Sequence, residues 1–180
     1  MKKLLLKTML LLFALVAGGM SSWAADEVFY TLTPAKGTNS GYTNACNVTI
    51  NGITWNLTGN SQQIPWRIGG KSLKKVDRAL YSKTAISDNV TKIEVTHGEA
   101  SGITVNSWTV IVSKNSDFSD PVSTLTPSFK ASTTTTINRP AGKDWTNCYY
   151  KFIYNVTVSS DSKNKFIEFS KAAFYKESGS

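Results

Sequence analysis

The sequence predicts an all-β protein, and three observations support this prediction. Strand-favouring residues (Thr, Val, Ile, Tyr, Phe and Trp) dominate the chain, whereas Leu and Ala become scarce after the N-terminal segment. Apolar and polar residues alternate with a period of two in several stretches, and polar turn residues interrupt them about every eight to twelve positions. We therefore expect a single antiparallel β-sandwich of jelly-roll type with about nine or ten strands.

Residues 1–24 have the pattern of a secretory signal peptide. Three lysines within the first seven residues surround the start of an apolar run from Leu4 to Val16, and small residues follow up to Ala24. This run is too short to span a bilayer in the usual way, so a retained membrane anchor is not expected. We expect cleavage after Ala24, with Ala25 as the alternative. The mature chain is predicted to be secreted, periplasmic or extracellular, with no membrane span. It divides into a sandwich domain over 25–177 and a polar tail over 178–180.

The first strands are predicted on either side of two turn signals. The stretch 27–34 alternates and ends at Pro34, and a loop rich in Gly, Asn and Ser follows. The stretch 46–59 then alternates on both sides of Asn51-Gly52, a dipeptide that supplies the two positive φ angles of a type I′ turn. This pattern predicts a β-hairpin.

The remaining strands are predicted from alternation or from β-branched content. The stretch 102–115 has apolar residues on both faces and is expected to be covered on both sides. Asp and Ser residues, together with Pro121, predict a turn over 115–122. The other strands are expected over 64–70, 79–86, 90–98, 123–131, 132–140, 148–160 and 165–176.

One segment admits a helix as an alternative. Leu73, Val76 and Leu80 have the spacing of one helical face. Glycines before them and β-branched residues after them favour a loop that leads into a strand near Ala79. Whether 71–81 is a loop or a short helix stays open at this point.

The net charge of the mature chain is concentrated in one segment. The whole chain has 20 Lys and Arg against 12 Asp and Glu, and the leader removes three Lys, which leaves 17 against 12, or +5. The segment 64–83 alone has six basic residues against Asp77, also +5, so the rest is balanced. Basicity of this size does not by itself indicate a nucleic-acid partner.

The sequence carries no motif for catalysis. His97 is the one histidine in the chain, next to Gly98 at a predicted strand end, where we expect a solvated side chain. A single histidine cannot build a multi-histidine metal site, and no nucleophile elbow or phosphate-binding loop is present. We therefore predict a protein that is not an enzyme and has no cofactor.

Carboxylate pairs are weaker candidates, since glycosidases need only two acids. The pairs in question are Asp117 with Asp120 and Glu94 with Glu99, or Asp144 with any of these. Asp117 and Asp120 lie in a predicted turn, where turn formation is favoured over calcium binding because the spacing is not that of a calcium loop.

Cys46 and Cys148 are the two cysteines. Export permits a disulfide between them, but each begins an apolar strand, where a free buried thiol is equally ordinary. Four Asn-x-Thr sequons, at Asn47, Asn56, Asn89 and Asn155, are interpreted as surface strand positions.

A ligand site is predicted where the basic segment meets aromatic residues. Aromatic rings stack on the C–H faces of sugars, and cationic groups contact hydroxyls or anionic substituents. The proposed stacking residues are Trp66 and Tyr81, with Trp145 as a second ring, and the proposed polar contacts are Arg67, Lys74 and Arg78. The alternative is that Trp55 and Trp66 fill the core and the lysines lie on a solvated loop.

Several stretches together resemble a known class of modules. The run GITWNLTGNSQQIPWRIGGKSLKKVDRALYSKTAI, followed by VTKIEVTHG and by the closing YYKFIYNVTVSS and KFIEFSKAAFYK, is similar to secreted jelly-roll β-sandwich modules of anaerobic bacteria. These have galactose-binding-like and carbohydrate-binding-module-like folds, and the resemblance spans roughly Tyr30 to Tyr175. It implies a non-catalytic module that binds glycan, with no residue transferred as a ligand contact.

Two other functions use the same features. Lys, Arg and Trp residues also serve proteins that bind nucleic acids or other polyanions, although the balanced charge elsewhere makes nucleic acid an unlikely partner. A surface assembly subunit would instead use an exposed strand edge, for which STTTTI at 132–137 is the candidate.

Overall fold

A computed structural model of the chain describes residues 25–35, 45–58, 60–61, 65–69, 76–158 and 165–179. The predicted leader, residues 1–24, lies outside the described residues. Within the described part of the chain, no helix is long and apolar enough to cross a membrane.

The described residues form twelve strands and no helix. In chain order the strands are β1 (Asp26–Leu32), β2 (Cys46–Ile50), β3 (Ile53–Thr58), β4 (Asn60–Ser61), β5 (Trp66–Gly69), β6 (Val76–Ser82), β7 (Lys92–Ser101), β8 (Ile103–Ser113), β9 (Pro121–Leu125), β10 (Thr134–Asn138), β11 (Tyr149–Val158) and β12 (Phe166–Glu177). The predicted all-β class is confirmed, with more strands than the nine or ten expected.

The strands form two six-stranded antiparallel sheets. Sheet A has the order β10-β7-β12-β5-β4, with β1 also paired to β12, and sheet B has the order β2-β3-β6-β11-β8-β9. Rings from the two sheets meet in the middle, since Trp55 of β3 and Tyr150 of β11 both contact Phe174 of β12, with ring centroids 6.1 and 5.1 Å apart. The packing is that of a β-sandwich.

Period-two alternation places one face of each long strand in the core. In β11 every second residue from Tyr150 to Val158 is buried, and the intervening side chains are half-buried. The core is unusually aromatic. The largest fully buried side chains include Trp55, Trp66, Trp108, Trp145, Tyr150, Phe152, Tyr154, Phe169 and Phe174.

The predicted Asn51-Gly52 turn is confirmed, and Gly102, which was expected to begin a strand, marks a second sharp turn. Asn51 and Gly52 have φ angles of 48° and 82°, so the β2–β3 hairpin has the expected type I′ turn. Gly102, with φ of 57°, is the single residue between β7 and β8. Its left-handed backbone lets the chain leave sheet A and enter sheet B within one residue.

Three element predictions need correction. The strand expected near Ala79 is observed and begins at Val76, so 76–81 is neither the loop nor the short helix left open for 71–81, while 71–75 lies outside the described residues. β8 is buried on one face rather than two, because sheet B has only one neighbouring sheet. Pro121 begins β9, the one strand position that needs no ladder N–H, and the predicted strand 123–131 ends at Leu125.

Candidate functional site

The indole ring of Trp66 lies in the core, so its predicted role as a stacking platform is wrong. It is 1% exposed and stacks on Phe169 with ring centroids 6.2 Å apart. Its Nε1–H donates to the carbonyl oxygen of Ala35 at 3.0 Å. A ring with both faces covered has no surface on which a sugar could stack. Trp55 is likewise buried, so the alternative prediction that Trp55 and Trp66 fill the core is confirmed.

Trp145 is also a core residue rather than a second ligand-binding ring. It is fully buried, its edge meets Tyr150, and its Nε1–H donates to the Ser123 hydroxyl at 2.9 Å. The physical cause is the same as at Trp66, since a large ring beside a strand contributes more by filling the core than by facing water.

The basic residues of the predicted site do not converge. Arg67 lies on the outer face of sheet A, where its guanidinium covers the Phe166 ring at 3.9 Å and approaches Glu168 at 3.7 Å. Arg78 faces the other sheet, its Nε donates to the carbonyl oxygen of Gly69 at 2.8 Å, and burial lowers its pKa. Lys74 lies outside the described residues.

Tyr81 is the predicted site residue that faces outward with a half-exposed ring. It lies on the outer face of sheet B, opposite Lys151 in the β6–β11 pair. Phe118, in the turn before β9, meets the Tyr81 ring edge-on at 6.0 Å. The Lys151 Nζ lies 5.8 Å from the Tyr81 centroid and 5.4 Å from the Phe118 centroid. We call Tyr81, Phe118 and Lys151 the aromatic patch.

The Phe118 ring is held at the patch by a turn. Phe118 has a φ of 62°, which is rare for a bulky residue. The Asp117 carboxylate accepts hydrogen bonds from the Ser119 N–H at 3.0 Å and from the Ser119 hydroxyl at 2.8 Å, and these bonds lower the pKa of Asp117. A left-handed aromatic residue of this kind often marks a functional site.

The aromatic patch is part of a row of residues, most of them polar, that crosses sheet B. Each residue of the row is directly opposite the next, and all point outward. From one edge of the sheet to the other the row contains Asn47, Asn56, Tyr81, Lys151, Ile111 and Thr124. The Asn56 amide donates to Asn47 Oδ1 at 2.8 Å, which orients both amides beside the Tyr81 ring.

The charge around Lys151 differs from that around the cations of sheet A. On sheet A, Lys92 lies 3.6 Å from Asp26 and 3.8 Å from Glu94, and Lys176 lies 3.1 Å from Asp88. Among the described residues no carboxylate pairs with Lys151. Its ammonium is therefore available to an anionic group from outside.

His97 is buried, in contrast to the solvated side chain predicted for it. β7 continues to Ser101, so His97 is an inward-facing position in the alternation of Ile93 and Val95. Its Nε2 is hydrogen-bonded to the Tyr154 hydroxyl at 2.8 Å, and burial lowers its pKa to about 4. At neutral pH this histidine is uncharged and has no access to a substrate.

The candidate acids are engaged by local partners. Asp144 binds Lys114 at 2.7 Å, and that bond, with help from Thr146, holds the Asp144 pKa well below its usual range. Glu94 accepts from the Tyr175 hydroxyl at 2.6 Å. No group of three His, Cys, Asp or Glu residues suited to a metal occurs in the described part of the chain. Turn formation is the observed role of Asp117.

Cys46 and Cys148 do not form a disulfide, so the disulfide interpretation is wrong. Cys46 is opposite Leu57, and Leu57, Leu80 and Phe152 follow each other across sheet B. Three strand spacings of this kind put Cys46 about 14 Å from β11, whereas a disulfide needs Cα atoms within about 7 Å.

The sequons agree in part with their interpretation as surface strand positions. Asn47 and Asn155 point outward from sheet B, but Asn56 is 8% exposed and Asn89 lies in a loop. Asn56 is closed off by its bonds to Asn47 and Thr58.

Sequence reasoning missed Phe118 and Lys151. Phe118 lies in a predicted turn, and an apolar aromatic residue between polar turn residues was the available signal. Lys151 alternates with Tyr150 and Phe152, so its outward direction was readable, but its register against Tyr81 was not. Comparison with models of known protein families and with curated proteins found no match.

Proposed function

We propose that this chain is an exported, non-catalytic module that binds glycans through the aromatic patch on the outer face of sheet B. The observation that carries the proposal is that one unpaired lysine lies within 6 Å of two half-exposed rings, with the exposed amide of Asn47 in the same row across sheet B. Aromatic faces stack on sugar C–H groups, and the exposed Asn47 amide matches a hydroxyl. The proposed site keeps Tyr81 from the sequence prediction and replaces the buried tryptophans.

The proposed ligand is an anionic glycan, such as one with uronic acid or sulfate groups. Lys151 has no carboxylate partner among the described residues, so an anionic substituent would neutralise it without breaking an existing ion pair. Each hydrogen bond to a charged group contributes on the order of 1.5–3 kcal/mol, so the ligand's charge would be a main source of selectivity.

The export and the absence of catalysis are parts of the same proposal. The pattern of residues 1–24 supports export. The burial of His97 and the local engagement of Asp117 and Asp144 support a module without catalysis. Secretion would place the aromatic patch outside the cytoplasm, where polysaccharides are met.

We also propose that the sandwich is a jelly roll. The last eight strands have the order β10-β7-β12-β5 in sheet A and β9-β8-β11-β6 in sheet B. This order supports two interlocked Greek keys, with β1 to β4 added at the opposite flank.

A glycan array with neutral, uronic and sulfated oligosaccharides tests the function. We expect binding to anionic glycans that Tyr81→Ala, Lys151→Ala and Phe118→Asn each abolish. Asn is chosen for position 118 because it tolerates a left-handed backbone. The matched control is Tyr175→Ala, since Tyr175 also lies under a lysine, Lys92, but that lysine is paired with Asp26 and Glu94.

Two results would refute the proposal. One is a wild-type protein that binds no glycan on the array, and the other is unchanged binding after Tyr81→Ala and Lys151→Ala. Binding to double-stranded DNA that falls steeply with salt would instead favour the polyanion alternative.

A further inference from the structure

β9 pairs with only one end of its neighbour β8. β8 pairs with β11 from Ile103 to Ser113, but with β9 only from Val110 to Ser113. Pro127 has no N–H to donate to a ladder, and the pairing with β8 ends at Leu125. Within the described residues, the outer edge of β8 before Val110 therefore has no partner strand.

A cleft lies between this open edge and the departing chain. The β8 cleft has a volume of about 250 Å³ and is lined by Val105–Trp108 on one side and Thr126–Phe129 on the other. None of these eight residues is charged. Small-molecule sites are usually larger, roughly 300–1,000 Å³. An extended strand could instead bind here by forming main-chain hydrogen bonds with the open edge of β8.

Trp108 adds a buried donor to the cleft. The ring is 1% exposed, and its Nε1–H, which is near the Tyr154 hydroxyl, makes no hydrogen bond of good geometry with the described residues. A β-bulge at Asn106, seen as a register shift against Asn155 and Val156, turns Trp108 rather than Ser107 inward. Tyr154, which stacks on Trp108, uses its hydroxyl on His97.

β10 has the properties of a strand that fits such a cleft. It is the edge strand of sheet A and pairs with β7 alone among the described strands. Its residues, Thr134–Asn138, include no charge and no proline, the devices that usually protect an edge from pairing. From 121 to 138 the one charged residue is Lys130.

β10 and the β8 cleft lie on the same flank of the sandwich. His97 of β7 contacts Trp108 of β8 at 4.8 Å and Phe129 at 4.9 Å, while at the other flank Tyr30 of β1 meets Trp55 of β3. A two-fold axis normal to the flank would exchange the two sheets, which are stacked about 10 Å apart. Each β10 would then face the open β8 edge of the other copy.

We propose that two copies of this chain associate through this flank, the edge strand β10 of each pairing with the open edge of β8 in the other. The interface is self-complementary, because one molecule carries both the uncharged strand and the uncharged cleft. The strand from the second copy provides the backbone N–H and C=O groups that the open β8 edge lacks. The inference is independent of the proposed glycan function.

Sedimentation velocity over a range of protein concentrations tests the association, together with NMR of the tryptophan indole N–H groups. We expect a monomer–dimer equilibrium and a concentration-dependent shift of the Trp108 signal, with the Trp55, Trp66 and Trp145 signals unchanged. Thr136→Lys places a charge on β10 and should weaken the dimer by about tenfold or more. Trp108→Phe should weaken it as well.

The controls separate this interface from other effects. Thr49→Lys makes the same change in β2, the edge strand of the opposite flank, and Lys151→Ala removes the proposed glycan contact, and both should dimerise normally. Circular dichroism checks that each variant is folded. A monomer at every concentration, or a dimer that survives both Thr136→Lys and Trp108→Phe, would overturn the proposal.

Discussion

The buried polar groups at the two flanks of the sandwich core differ in whether they have hydrogen-bond partners. At the β1–β3 flank, the Trp55 Nε1–H donates to the Tyr30 hydroxyl at 2.8 Å, and that hydroxyl donates to the Ile50 carbonyl oxygen at 3.2 Å. At the β9–β10 flank, Trp108 Nε1 and His97 Nδ1 are buried without partners among the described residues. Of the two core tryptophans compared, Trp55 has a hydrogen-bond partner and Trp108 has none of good geometry.

This difference bears on the stability of each flank and on which flank is suited to bind a partner. An unpaired buried polar group costs roughly 1–3 kcal/mol, so the β9–β10 flank is less stable than its aromatic packing alone would give. Strained or unsatisfied groups of this kind persist where another contact uses them. The flank with the open β8 edge is also the flank with the unsatisfied donors, which is the arrangement expected of an interface.

The largest expected effect comes from His97, the histidine of the less satisfied flank. The pKa of His97 in the folded protein is about 4, against an ordinary value of 6.5. Between pH 6.5 and 4, His97 is therefore protonated in the unfolded chain but not in the folded protein. Stability should therefore be full above about pH 6.5 and fall by on the order of 3 kcal/mol as the pH drops to about 4. Urea unfolding at a series of pH values measures this loss.

His97→Gln provides the control for that experiment. Gln keeps a hydrogen bond to Tyr154 and does not titrate, and the other groups around His97, namely Trp108, Phe129 and Phe169, carry no charge. The variant should lose the pH dependence between about pH 6.5 and 5, above the range of ordinary carboxyl groups. An unchanged slope in His97→Gln would show that His97 is not the cause.

A smaller effect is expected from Tyr30→Phe at the satisfied flank. The change removes the acceptor of Trp55 and the donor to Ile50, and it leaves the buried Trp55 Nε1–H unpaired, so the loss should be about 2 kcal/mol. Chemical denaturation measures it. Tyr175→Phe, which breaks a more exposed bond to Glu94, should cost less, and a larger loss there would contradict the comparison.

Trp55→Phe and Trp108→Phe compare the two flanks directly. Both changes remove the same ring volume from a fully buried position, but only Trp55 loses a hydrogen bond. Trp55→Phe should therefore cost about 1 kcal/mol more than Trp108→Phe in monomeric protein. Equal losses in the two variants would mean that Trp108 Nε1 has a partner in solution.

Period-two alternation was enough to predict the fold class and the hairpin, because burial of one strand face depends on residues that are close in sequence. Asn51-Gly52 fixes its turn locally in the same way. The ladder between β8 and β9 illustrates the limit. Pro127 signals an interruption, but whether the chain leaves a cleft depends on the strand opposite it, which the sequence does not specify.

The site was harder to predict for a related reason. A tryptophan in an alternating stretch fits either a core or an exposed platform, and the choice depends on which face meets the other sheet. Trp66 and Trp145 face it, and Tyr81 faces away. The basic cluster in 64–83 failed as a predictor because Arg67 and Arg78 belong to different sheets and point in different directions.

The smallest expected effect concerns the outer faces. Lys151→Ala should change the free energy of unfolding by less than about 0.5 kcal/mol, because Lys151 has no ion pair among the described residues and lies on the surface. Arg67→Ala should cost about 1 kcal/mol, since the Arg67 side chain covers Phe166 and approaches Glu168. Denaturant midpoints measure both. If Lys151→Ala destabilises the protein as much as Arg67→Ala does, Lys151 has a structural role. If Lys151→Ala stays stable but no longer binds glycan, the role of Lys151 is in ligand recognition.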